Sequence, residues 1–368
     1  MCTSGDYDLM QPLFNMYAGA VFELSKYRTR RYFGFEGAYF PECMYFWGAV
    51  FSETYGWEPF EKRRDKLQAS RWHKWEWVAG PELVGLMLDY YDHTQDTSFL
   101  RDKVLPVAKA VMLFFEHYYR TGPDGKLVMH PAQALETWWE CTNPMPEIAG
   151  LRALTARILA LPRELLPDDQ RKYWQAARAK IPELPTRTVD GVRMLAPAEK
   201  FAQKRNIENP ELYAVFPFRQ IALGRAKVEL ALEALKHRGD KGNFGWRQDD
   251  IFMAYLGLTE QARAYLVGRA RKHHPGSRFV AFWGPNYDWI PDQDHGCVGM
   301  IALQFMLLQP VGRKIYLLPA WPRGWDAHFR LHAPFGTVVE GRVEGGELRE
   351  LKVEPAERRA DVVICQAQ

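Results

Sequence analysis

Apolar side chains recur at helical spacing through most of the first three hundred residues. Residues 8–26 carry Leu9, Leu13, Met16, Val21 and Leu24 on one stripe. Residues 81–95 repeat it with Leu83, Leu86, Met87, Leu88 and Tyr91, and residues 99–119 with Phe99, Val104, Val107, Val111, Phe114 and Phe115. The same period predicts helices over 146–160, 167–180, 224–237, 246–258, 260–272 and 296–309. Asp96-Thr97, Pro167-Asp168 and Thr259-Glu260 supply start signals for three of them. About ten moderate helices arriving in pairs predict an all-α toroid of hairpins or an α-solenoid. No repeat of fixed period is visible, which counts against a standard solenoid. After Gln309 the period changes to two. Lys314–Leu318, Phe329–His332, Thr337–Val343, Glu347–Val353 and Val362–Cys365 read as strands separated by turns such as Gly345-Gly346. The expected organisation is a helical domain over 1–309 and a small antiparallel β-unit over 310–368.

Length and composition narrow the function. The chain has 368 residues, 25% charged, with a formal net charge of +3. No Lys/Arg run is interleaved with aromatics on one face, so nucleic acid is not an expected partner. No apolar run is long enough to span a bilayer, so no membrane partner is expected either. The opening MCTSGDYDLM is acidic and lacks the apolar core of a secretory signal. The five cysteines (Cys2, Cys43, Cys141, Cys297 and Cys365) are odd in number and form no CxxC, so neither a disulfide framework nor a zinc motif is predicted. Gly-rich phosphate loops and a GxSxG elbow are absent, which disfavours nucleotide and serine-esterase chemistry. Aromatic residues reach 14%, including 13 Trp, a material of sugar-stacking surfaces as well as of cores.

The aromatics concentrate in irregular segments between helices: 32–48 (YFGFEGAYFPECMYFWG), 71–82 (RWHKWEWVAGPE), 203–219 (QKRNIENPELYAVFPFR) and 281–297 (AFWGPNYDWIPDQDHGC). Such segments are expected to line a cleft at one end of the helical domain. The most informative stretch is 130–147, HPAQALETWWECTNPMPE, with Glu136, Glu140 and Glu147 around Trp138 and Trp139. A carboxyl against a flat apolar wall holds its proton to higher pH and can act as an acid near neutrality. Asp292 and Asp294 flank Gln293 before His295, and alternation places both carboxyls on one side. They serve either as a catalytic pair or as caps of the helix that follows. Glu42 and Glu211 each follow proline in an aromatic loop and are candidates for sugar hydroxyls. Asn209, Glu36 and Arg205 are weaker ones. Trp47, Trp75, Trp138, Trp139 and Trp283 are candidate stacking platforms. Arg247, Asp249 and Asp250 open a helix and fit a buried polar network. His130 and His295 are expected as hydrogen-bonding partners at the sugar; no His pair at i,i+4 supports a metal, and no cofactor is expected.

These blocks, in this order, resemble the six-hairpin (α/α)6 glycosidases. The resemblance is closest to the family 95 glycoside hydrolases, and within them to a bacterial group of large glycosidase-like proteins. DYYDHTQDTSFL, LPVAKAVMLFFEHYY and TGPDGKLVMHPAQALE resemble the family's helix pair and the short hairpin that ends in its catalytic glutamate. GFEGAYFPECMYFWG, NPELYAVFPF, GWRQDDIFMAYLGL, DQDHGCVGMIALQFMLLQ and KIYLLPAWPRGW resemble later family landmarks. The resemblance implies an (α/α)6 toroid, short of its first hairpin, with a C-terminal β-unit. It implies Glu136 as general acid and Asp294 as the second acid, which supports water activation. It departs from the family at Ala134-Leu135-Glu136, where the family has Ser-Pro-Glu, and at Asn209-Pro210-Glu211, which replaces a histidine-rich loop. The family's water-positioning asparagine pair and its N-terminal β-sandwich lie upstream of Met1. Either the chain is the C-terminal part of a longer protein or it lacks essential parts of the site; it is expected to be periplasmic or secreted if an upstream region carries an export signal, and cytoplasmic otherwise.

The expected activity is inverting hydrolysis of a glycosidic bond in a polysaccharide or oligosaccharide side chain, of the α-L-fucosidase or α-L-galactosidase kind. Its rivals are a catalytically inactive carbohydrate-binding protein on the same fold and a polysaccharide lyase. A carbohydrate is the expected partner in each case.

Overall fold

The computed structural model describes residues 1–42, 44–45, 47–48, 72–278, 284–285 and 292–365. Trp283 lies outside them. The chain divides into two compact units: one formed by Tyr7–Tyr91 and Gln95–Gln220, the other by Met1–Asp6, Asp92–Thr94 and Ile221–Gln368.

The first unit begins with α1 (Tyr7–Met16), a π-helical turn (Tyr17–Val21) and α2 (Phe22–Phe33). One continuous stripe over 8–26 is thus broken into two helices, and the second runs on until Gly34 ends it in the left-handed conformation. α3 (Ala79–Thr94) buries Leu83, Met87, Leu88 and Tyr91 of its predicted stripe and adds Val84, but leaves Leu86 exposed. Gln95 stops it with a left-handed cap. Asp96 then starts the next helical run, its side chain accepting from the Phe99 backbone N–H at 3.0 Å. That run comprises α4 (Thr97–Phe99), a π-helical turn and α5 (Leu105–Tyr118), which buries Val107, Val111, Phe114 and Phe115. α6 (Met145–Leu159) and α7 (Asp168–Lys180) pack on each other.

The segment after α2 is laid directly along α5. Gly37 sits at φ +149°, and a Cβ there would come within 2.8 Å of the Phe114 backbone nitrogen, so only glycine allows the approach. The Ala38 N–H donates to the Ala110 carbonyl at 2.9 Å. Trp77 packs into the same place, against Phe114 (5.1 Å between centroids), Tyr118 (5.3 Å) and Tyr39 (5.4 Å). The chain leaves this anchored aromatic cluster at Phe40 and reaches Glu42 two residues later.

Between the helices the first unit contains short strands, beginning where the resemblance implied a hairpin ahead of Glu136: β1 (Arg120–Thr121), β2 (Leu127–Val128), β3 (Ala132–Ala134), β4 (Trp138–Pro144), β5 (Thr186–Val189), β6 (Val192–Leu195), β7 (Ala198–Lys200) and β8 (Gln203–Lys204). Most are too short for alternation to register. β4 joins three of them, pairing antiparallel with β3, β7 and β8.

The second unit holds α8 (Val228–His237), α9 (Asp249–Tyr255), α10 (Thr259–Arg271) and α11 (Asp294–Leu307). α8 starts later than its stripe because Lys227 turns left-handed, at φ 71°. Two sheets follow. β9 (Leu308–Val311), β10 (Lys314–Leu317) and β14 (Val362–Ile364) form one; β11 (Ala327–Ala333), β12 (Thr337–Glu344) and β13 (Glu347–Glu354) form an antiparallel meander. All pairings are antiparallel as expected except β14, which runs parallel to β10. The predicted change of character at Gln309 falls inside this unit.

Candidate active site

Glu136 occupies the turn between β3 and β4. Leu135 ahead of it takes φ 54°, and the Ala134–Trp138 register closes the turn beneath it. β8 lies on β4 with Lys204 opposite Trp138, and the Arg205 N–H continues the ladder by donating to the Thr137 carbonyl at 2.8 Å. The chain leaving β8 therefore arrives at the acid. Asn206 Nδ2 donates to Glu136 Oε2 at 2.6 Å, and Thr137 Oγ1 donates to Glu208 Oε2 at 2.8 Å. On the other side, the Gln133 side chain ties the 72–75 turn to β3: its carboxamide oxygen accepts from the Trp75 N–H at 2.8 Å and its nitrogen donates to the Trp72 carbonyl at 2.7 Å. This fixes His73, whose Nε2 lies 3.0 Å from Glu136 Oε1 and 3.1 Å from Glu42 Oε2.

An aromatic wall stands beside these groups. Trp139 donates its indole N–H to the Glu136 carbonyl at 2.8 Å, meets Trp72 edge-to-face at 5.0 Å, and carries the Arg205 guanidinium 5.5 Å from its ring centroid. Trp138, next in line, packs its ring on Phe201. Trp75 is partly exposed with Lys74 over its ring. Trp47 is exposed and stacks flat on Tyr45 at 4.4 Å. Asn209 and Glu211 are buried just beyond Glu208. His130 faces solvent, its Nδ1 near the Cys141 carbonyl (3.1 Å) and the Thr142 hydroxyl (3.2 Å).

The first unit thus unites Glu42 and Glu136 and adds His73, Asn206 and Glu208, which the sequence did not single out. Further carboxyls crowd behind them. Crowding by protein pushes Glu42 up to about 7, with the His73 ring opposing and the Glu136 charge adding to the rise. Burial pushes Glu208 up to about 8. Glu76 is raised well above the usual carboxylate range, by burial first and then by the charges of Glu42, Glu208, Glu136 and Glu147. Burial pushes Glu82 up to about 7 and Glu147 up to about 8, although Glu147 accepts from the Trp77 N–H at 3.2 Å.

This crowding has a stability signature. The folded unit holds these protons to higher pH than the unfolded chain does. For Glu147 the window runs from 4.5 up to about 8, and stability falls as pH rises through it. The slope approaches about 1.4 kcal/mol per pH unit for each such group. The melting temperature is expected to drop between pH 5 and pH 8.5, and Glu147→Gln to flatten part of that drop in parallel thermal melts. A flat wild-type profile would contradict the carboxyl burial.

The second unit contains Asp292, Asp294 and His295. Asp294 is exposed in the first turn of α11, and its N–H donates to Asp292 Oδ1 at 2.9 Å. Asp292 is buried, and burial raises its pKa. His295, expected at the sugar, is fully buried with both ring nitrogens engaged: the Gly245 N–H donates to Nδ1 at 3.1 Å and Nε2 donates to the Arg269 carbonyl at 2.8 Å. This is the neutral Nε2–H tautomer, and burial lowers the pKa in agreement.

The model for the glycosyl hydrolase family 95 catalytic domain matches residues 7–276. The chain is 25% identical to alpha-L-fucosidase 2 of Arabidopsis thaliana over 288 residues, covering 69% of this chain and 33% of that protein. A solved structure from the human microbiome, assigned as a kojibiose phosphorylase, superposes with a TM-score of 0.60 at 10% identity, over 93% of this chain and 53% of its own. That likeness shows the fold: mainly helical, with small antiparallel sheets, of the six-hairpin (α/α)6 glycosidase kind. The chain spans about a third of the curated relative and about half of the structural one.

Proposed function

Because the chain belongs to glycosyl hydrolase family 95, we propose that it hydrolyses a glycosidic bond, with Glu136 protonating the leaving oxygen. The observation that carries the reading is the setting of Glu136: a partly exposed carboxyl in a tight turn, oriented by His73 and Asn206 and walled by Trp139 and Trp72. Proton donation needs a carboxyl that exchanges protons near neutrality beside a surface on which a sugar ring stacks. Glu42 and Glu136 both approach the one imidazole nitrogen, His73 Nε2. The second group is Asp294, with Asp292 beside it, supporting the attack of water. The outcome is then inversion. The fucosidase relative supports an α-L-fucoside as substrate; α-L-galactosides, and a position on a side chain of a polysaccharide or oligosaccharide, belong to the same proposal.

A panel of aryl α-L-fucosides, α-L-galactosides and other glycosides, alongside fucosylated polysaccharides, tests this. The expected result is release of a free sugar whose anomeric configuration, followed by NMR in the first minutes, is inverted. Retention would remove Asp294 from its role. A product with ultraviolet absorbance at a new double bond, or binding with no turnover across the panel, would overturn hydrolysis.

A further inference from the structure

His73 is the ion-pair partner of both Glu42 and Glu136, and among the described residues neither carboxylate pairs with a lysine or arginine. The ligand-type atoms of the three residues all lie within 4.8 Å of one another. Around a four-coordinate metal with bonds of about 2.0–2.2 Å, neighbouring ligand atoms fall roughly 3.3–3.6 Å apart. The two nitrogen–oxygen separations, 3.0 and 3.1 Å, are already close to that spacing.

A second observation points the same way. Glu76, three residues beyond His73, is only 5% exposed, and its Oε2 has no hydrogen-bond partner. A buried carboxyl oxygen without a hydrogen-bond partner, in the stretch that carries His73, is one that a nearby cation would satisfy.

We propose that Glu42, His73 and Glu136 form a binding site for a divalent transition metal of the zinc class, with Glu76 as a supporting carboxylate. One neutral imidazole nitrogen and two carboxylate oxygens suit such an ion, whereas magnesium and calcium favour all-oxygen shells. Three protein ligands leave a position for water or a sugar hydroxyl. No metal motif shows in the sequence because the ligands come from three separate loops. The site does not depend on the hydrolytic reading. Where both hold, metal on Glu136 displaces the proton needed for catalysis, so the loaded protein is inhibited.

The test is calorimetric titration of the chelator-stripped chain with Zn2+ alone. One saturable site is expected. Glu42→Gln should weaken it at least 10-fold and His73→Asn about 100-fold or more. His237→Gln removes the surface Glu233–His237 pair on α8 and should leave the affinity unchanged. Thermal melts establish that each variant is folded. Glu42→Gln, at a partly exposed position, decides the matter if the buried His73 variant does not fold. Absence of saturable binding, an affinity that Glu42→Gln leaves intact, or one that follows His237 would overturn the proposal.

Discussion

Glu136→Gln is expected to lower turnover of a substrate with an ordinary sugar leaving group by roughly 100- to 10,000-fold, the span that general acid catalysis contributes. The amide keeps the shape of the side chain and still accepts from Asn206, so sugar binding should survive, with KM changed far less than kcat. What it lacks is a carboxyl that carries an exchangeable proton beside His73 Nε2, 3.0 Å away. The leaving group separates proton donation from mere positioning. A dinitrophenyl glycoside departs without protonation, so the variant should retain much of its rate on that substrate. Equal losses on both substrates would make Glu136 a positioning residue. Unchanged turnover on both would remove it from the reaction.

The residues of this site were legible to different degrees, for physical reasons. Helical period alone found α3 and α5, because each presents a continuous apolar stripe to the core. It could not see that Gln95 would adopt a left-handed cap or that a π-helical turn would divide α1 from α2. Glu136 and Glu42 stood out as acids among aromatics. His73 was hidden in a run of tryptophans, and its importance comes from the Gln133 hydrogen bonds that fix its turn. Asn206 and Glu208 reach the acid through the β8–β4 pairing, and β8 is only two residues long. No periodicity exists over such a length. His295 shows the opposite failure: a polar side chain next to acids looked like a sugar ligand, yet backbone groups take both of its nitrogens. In the β-unit, alternation revealed β12 and β13, but the parallel partner of β10 depends on where the chain returns after Ala356–Asp361.

Arg269→Met should be the most damaging single change in the second unit, costing about 3–5 kcal/mol. Arg269 is 1% exposed and grips Asp250, itself fully buried, through two hydrogen bonds of 2.6 and 2.9 Å. It also donates to the carbonyls of Gly245, Arg247 and His295. A methionine fills the volume but leaves a buried carboxylate without its cation and three carbonyls short of a donor, and the stranded charge dominates the loss. A fall in melting temperature of roughly 10 °C follows for a unit of this size. Adding Asp250→Leu removes the stranded charge and should recover a substantial part of it. A double variant no more stable than the single one would mean that the carbonyl bonds carry the energy instead. The consequence reaches the chemistry, because the Arg269 carbonyl accepts from His295 and His295 anchors the first turn of α11. Asp292 and Asp294 sit at that turn. In the single variant, amide exchange over 292–298 should therefore rise more than exchange in β11–β13, and any turnover the chain possesses should fall at temperatures where the unit is still folded.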